Sequence, residues 1–268
     1  MKEGLRNLSA YQVAAIRIVS SGFILLPFAL KAFRQIPAGK ILTIFMSGVL
    51  GSLLPAFLFC IAEEGIDGAL AGTLNSLTPI FVIITGALFF RSKTPAIKII
   101  GIAVSFTGSI LLLISKGHMA ESKNLVYVSF VVLATICYGI NVNMVHRKLG
   151  NIGSLNIAAV ALVLNAVPAL IVLFSTGYFT MDFSSNGILF STFYSSLLGV
   201  FGTAVASVIF YMLVKRAGAV FSSMVTYGIP VVANFWGIIS GEDVGWKQFC
   251  CLVIILLGVY IANRKVAE

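Results

Sequence analysis

Apolar residues along this chain run in blocks rather than alternating with polar ones. Nine stretches of roughly 20 residues carry almost no charge, and short polar segments separate them. Helix at 1.5 Å per residue needs about that length to cross a hydrocarbon core of about 30 Å. The blocks predict spans at about 11–31, 41–62, 67–90, 96–115, 124–145, 153–177, 187–213, 218–240 and 246–263. Segments of about ten residues in strict alternation, the pattern of a membrane barrel, are missing. The expected class is an all-α polytopic membrane protein.

The blocks also repeat. GVLGSLLPAFLF begins at Gly48 and GVFGTAVASVIF at Gly199, an offset of 151 residues. Gly51 maps onto Gly202, Pro79 onto Pro230 and Gly86 onto Gly237 without a gap. Further toward the N-terminus the offset is 145, with Ser9 aligned near Ser154, because a longer loop near 178–186 shifts the register. The chain divides into a first repeat, 1–116, with four helices, and a second, 117–268, with five. A full unit of five helices, an odd number, inserts consecutive copies in opposite orientations and makes the repeat inverted. The first copy then lacks the counterpart of helix 124–145, so nine spans stand where ten are expected.

Composition agrees. Hydrophobic residues make up 59% of the chain and charged residues 10%, against about 25% charged in soluble domains. The net charge of +9 does not point to nucleic acid, because the basic residues sit in short loops at helix ends. The loops after the first, third, fifth and seventh spans, with the C-terminal tail, hold 12 of the 18 Lys and Arg, while seven of the nine acids lie in loops on the other side. The positive-inside rule therefore predicts a multi-pass protein with a cytoplasmic C-terminus. Nine spans then leave the N-terminus, with Lys2 and Arg6, outside; a further helix upstream would resolve this. No cleavable signal peptide is evident. Cys60, Cys137, Cys250 and Cys251 lie in apolar segments without CxxC spacing, which fits packed thiols rather than a metal site or disulfide framework.

At this point the chain resembles the drug/metabolite transporter superfamily, specifically its EamA-type members. The residues that carry the resemblance are AAIRI (14–18), NSLTPIFVIITGALFFRSK (75–93) followed by GIAVSFTGSILLL (101–113), and the parallel YGIPVVANFWGIISGE (227–242) followed by LVIILLGVYIAN (252–263). The resemblance implies ten helices in two inverted five-helix units, residence in the inner membrane, and movement of small metabolites by alternating access. Amino acids or related compounds are the expected cargo, with efflux as one direction. The alternative is a non-transporting or truncated membrane protein that serves as an assembly partner.

Candidate binding residues come from polar positions within the spans. Pro79 and Pro230 are expected inside helices, where each frees a carbonyl, and mark candidate kinks or gates at matching places in the two repeats. Asn75 and Thr78 lie beside the first; Tyr227 and Asn234 lie beside the second. Tyr138 and Asn141, three apart, share a face of the fifth span. Arg17 is the one charge well inside a span. It can snorkel, pair with an acid, or attract a carboxylate-bearing substrate. Thr203, Ser207 and Tyr211 recur at i, i+4, i+8 and form a second candidate stripe. The small residues Ser47, Gly48, Gly51 and Ser52, and their counterparts from Gly199, fit close helix packing. Gly101, Ser105 and Gly108 form a similar face that fits an interhelical contact, including one between protomers of a homodimer. With no Asp or Glu deep in a span and no His pair, the chain offers nothing for a membrane-embedded enzyme, a metal or a cofactor. The expected partners are a small-molecule substrate and the lipid bilayer.

Overall fold

The computed structural model describes residues 3–66, 68–115, 125–183, 186–229, 231–232 and 245–263. Every regular element among them is helical: α1 (Ala10–Phe33), α2 (Ala38–Ala62), α3 (Gly68–Asn75), α4 (Thr78–Phe90), α5 (Ala96–Ser115), α6 (Leu125–Lys148), α7 (Ser154–Ser175), α8 (Asn186–Ala217), the short α9 (Ala219–Ser223) and α10 (Trp246–Asn263). Among the described residues seven helices are long and apolar enough to cross a membrane, with α3 and α4 counted together from Leu70; α5 is a further apolar helix. Of the span predicted over 218–240, the structure describes the N-terminal part. This is a polytopic membrane protein.

Exposure is distributed as lipid requires. Phe23, Leu30, Leu88, Phe174 and Phe190 are exposed. Buried positions include Ser21, Ser47, Thr85, Ser105, Asn141, Asn143 and Asn165. With hydrocarbon as the solvent, burial of apolar area between helices gives little drive, and small residues and interhelical hydrogen bonds hold the helices together.

The chain forms two compact units. The first comprises Met1–Ile61 and Met144–Ala217, the second Ala62–Asn143 and Gly218–Glu268. Each draws on both sequence repeats. In the first unit α1 packs along its repeat partner α7. Gln12 Nε2 donates to Thr176 O (3.1 Å), Gly22 abuts the backbone at Leu162, and Asn156 Nδ2 donates to Gln35 Oε1 (3.2 Å). The start of one helix thus meets the end of the other, so the equivalent helices run antiparallel. Ser9 fixes where α1 begins: its hydroxyl accepts from Gln12 N (3.3 Å), and Gln12 Oε1 accepts from Ser9 N (3.0 Å), a reciprocal cap.

In the second unit α5 packs along α10 in the same antiparallel way. A Cβ on Gly101 would lie 2.6 Å from Gly258 O, and one on Gly258 would lie 2.6 Å from Gly101 O. Ser105 Oγ donates to Ile255 O (3.0 Å) across the same seam. The Gly101, Ser105 and Gly108 face, which the sequence also offered to a protomer contact, is thus taken up within the chain.

Candidate functional site

In the first unit the two equivalent helices α2 and α8 each contain a π-turn, Val49–Leu53 and Val200–Val205. The turns begin after Gly48 and Gly199, the pair that defines the 151-residue offset. A π-turn loosens the helix by one residue and commonly marks a functional position. Both glycines are cradled without room for a side chain. Gly48 lies against the Asn165 amide and the Ala161 backbone, and Gly199 lies against the Ser20 hydroxyl and the Arg17 carbonyl. The braces correspond as well. Asn165 Nδ2 donates to Phe45 O (3.2 Å) and Ala161 O (2.7 Å); Ser20 Oγ donates to Ser196 O (3.4 Å) and Arg17 O (3.2 Å). Phe45 and Ser196 are related by 151 residues, Ser20 and Asn165 by 145.

One interaction breaks this symmetry. Arg17 Nε donates to Thr203 Oγ1 at 2.6 Å, from α1 to the π-turn of α8. Arg17 is half-buried, Thr203 is buried, and no acid among the described residues pairs with this guanidinium. Tyr211, at the end of the predicted polar stripe, is buried with its hydroxyl 3.4 Å from Ser47 Oγ, and Ser207 is half-buried.

The second unit holds a helix break. The chain leaves α3 at Asn75, turns through Ser76 and Leu77, and resumes as α4 at Thr78. Pro79 therefore lies in the first turn of α4 rather than in a helix interior, as expected for a residue with no N–H to offer. Thr78 Oγ1 donates to Asn75 Oδ1 (3.1 Å), so two of the candidate residues meet directly. Asn75 is half-buried and Thr78 buried. The Ser76 hydroxyl is buried without a hydrogen-bond partner among the described residues.

The same place in the second repeat is a tight 3₁₀ turn, Met224–Tyr227. Tyr227 is 1% exposed, and its hydroxyl donates to Ile102 O on α5 (3.1 Å). Ser76 is its sequence equivalent, and a serine is too short for such a reach. Pro230 and Asn234 lie outside the described residues.

On α6, Asn141 is buried and Tyr138 half-buried. Asn143, not among the candidate site residues, makes the denser network: its Nδ2 donates to Val82 O (2.8 Å), Thr85 Oγ1 (3.2 Å) and Gly139 O (2.9 Å). It stands where Gly86 and Gly139 let α4 and α6 approach closely. Among the described residues no group of three or more His, Cys, Asp or Glu could hold a metal ion.

Paired antiparallel helices, symmetric π-turns and a broken helix define a membrane protein folded twice from one motif. The model of the EamA-like transporter family matches residues 1–114 and 125–264, and the chain belongs to that family. It is similar to an uncharacterized transporter of Archaeoglobus fulgidus, 24% identical over 99% of this chain and 92% of the relative. A solved crystal structure matches the fold with a TM-score of 0.71 at 14% identity, covering 98% of this chain and 90% of that one. The protein is a membrane transporter, with a small molecule as substrate and the lipid bilayer as its surroundings.

The sequence marked Arg17 and Thr203 separately, with no sign that they meet. Their bond depends on the α1–α8 packing, which no local pattern reports. The π-turns had only the glycine pair as a signal.

Proposed function

We propose that this chain is a secondary transporter that moves small metabolites, amino acids or related compounds, across the cytoplasmic membrane by alternating access of the two inverted repeats, 1–116 and 117–268. The C-terminus faces the cytoplasm in this reading, with efflux as one direction. The observation that carries it is the pair of π-turns at equivalent positions, each braced by an equivalent side-chain hydrogen bond. Alternation between inverted copies requires that each copy be able to take the other's conformation, and matched loosened turns supply that freedom.

Within this reading Arg17, Asn75, Thr78, Tyr138 and Asn141 contribute to substrate binding. Pro79 and Pro230 mark the segments that move, and Asn234 joins the set from the second repeat. Tyr227 serves by holding its turn to α5. The test is uptake of labelled amino acids into proteoliposomes containing the full chain. Saturable flux that falls at least about tenfold in Asn75→Leu, while folding is retained, supports the reading; a tenfold fall corresponds to about 1.4 kcal/mol, within the range for a hydrogen bond to the substrate. Flux no greater than in empty liposomes across the amino-acid panel overturns it.

A further inference from the structure

The asymmetry between the two π-turns singles out Arg17. Under the repeat relation, its counterpart on α7 is Leu162, and the counterpart of Thr203 is Ser52. The first π-turn, Val49–Leu53, thus forms with a leucine where the second has an arginine. The fold provides its own control: building and bracing this kind of turn needs Asn165 or Ser20, not a cation.

Arg17 is also incompletely used. Its Nε donates to Thr203 Oγ1 at 2.6 Å, and this is the one side-chain hydrogen bond it makes among the described residues. The four N–H groups of its two Nη atoms remain. The guanidinium is half-buried about two turns into α1. In the same unit Glu3 is paired to Arg6 (3.1 Å), and no described acid lies within ion-pair distance of Arg17. A charge in a membrane span is costly unless something of opposite sign meets it. Holding Nε leaves the end-on Nη pair as a planar fork, the geometry that takes both oxygens of a carboxylate.

We propose that Arg17, aimed by Thr203, is the oxyanion-recognition residue of the transport site, so that the transported metabolite carries a carboxylate. The inference rests on the transporter reading and assigns the residue that recognises the carboxylate of such a metabolite. Thr203 is a positioning residue: it touches no substrate, and it orients the fork from within the π-turn. A carboxylate seated on the Nη pair is thereby linked to that turn through one hydrogen bond.

The test is a binding measurement, independent of flux. Thermal unfolding of the full chain in nanodiscs is followed against increasing propionate, its uncharged counterpart propionamide, and inorganic phosphate, at constant ionic strength. We expect a saturable rise in the unfolding midpoint with propionate and none with propionamide. Arg17→Gln abolishes the rise. Thr203→Val weakens the apparent affinity at least about tenfold, the lower end for losing a hydrogen bond to a charged group, and Thr203→Ser, which keeps the acceptor, restores it. A purely structural role for Thr203 would shift the unliganded midpoint without moving the affinity. The proposal is overturned if propionate gives no saturable rise, if Arg17→Gln responds like the parent chain, or if phosphate acts and propionate does not. Flux of a neutral solute that is unchanged in Arg17→Gln would overturn it too, while leaving the transporter reading intact.

Discussion

Asn165 and Ser20 occupy equivalent positions in the two repeats, and each donates a side-chain hydrogen bond to the carbonyl one turn before the neighbouring helix's π-turn. The residues differ in kind, an amide and a hydroxyl, yet the accepting carbonyls, Phe45 and Ser196, are related by the same 151 residues as the glycines beside them. The Phe45 carbonyl also accepts from Val49 N, so the Asn165 amide adds a second donor to it. The brace thus ties the turn just before the irregular one to the neighbouring helix, and it recurs at the same place in both copies.

Gly48→Ala and Gly199→Ala should each destabilise the protein by about 1–3 kcal/mol, the range for overpacking a filled site. A methyl at Gly48 would displace the Asn165 amide and press on Ala161 O at 2.9 Å; at Gly199 it would meet the Ser20 hydroxyl and the Arg17 carbonyl. Gly39→Ala, with nothing within 4 Å, is the control and should be neutral or gain up to about 0.5 kcal/mol from helix propensity. Unfolding midpoints of the three variants in detergent measure the difference.

Asn143→Ala should cost more than an average interhelical hydrogen bond in a membrane, about 0.6 kcal/mol, because three acceptors share its amide. A value near the upper end, about 1.7 kcal/mol, is expected. Pairing it with Thr85→Val in a double-mutant cycle should leave a coupling of about 0.5 kcal/mol for the 3.2 Å contact. Additive effects would show that Thr85 stands by without contributing.

How much of this is legible in the sequence depends on the range of each interaction. The apolar blocks set helix positions to within a few residues: the span read as 11–31 is Ala10–Phe33, and that read as 153–177 is Ser154–Ser175. Inversion is legible because it follows from counting helices, and it appears as antiparallel pairing of α1 with α7 and of α5 with α10. The π-turns are not legible, since a shift of hydrogen-bond register leaves composition and periodicity nearly unchanged. The helix break lies just before Pro79 rather than around it, because proline announces irregular backbone without saying on which side of it the helix stops. Asn143 faces away from Tyr138 and Asn141 on the same helix, and that other direction is where α4 lies.

Tyr227→Phe separates binding from bracing. Without the bond to Ile102 O, stability should fall by about 0.6–1.7 kcal/mol. Substrate KM in the flux assay should stay within about twofold, a difference of less than about 0.5 kcal/mol. A large rise in KM with unchanged stability would put the hydroxyl on the substrate instead.

The α5–α10 seam makes the sharpest packing prediction. A Cβ on Gly258 would meet Gly101 O at 2.6 Å and also crowd the backbone and hydroxyl of Ser105. Backbone cannot yield as a flexible side chain does, so Gly258→Ala should cost about 3 kcal/mol, the top of the overpacking range, and Gly258→Leu should prevent stable folding. Gly101→Ala should do comparable damage from the other side of the same seam. Both alanine variants should keep the parent chain's oligomeric state in size-exclusion chromatography with light scattering, because the face is consumed within one chain. A variant that stays fully stable but changes its association state would instead assign these glycines to a contact between protomers.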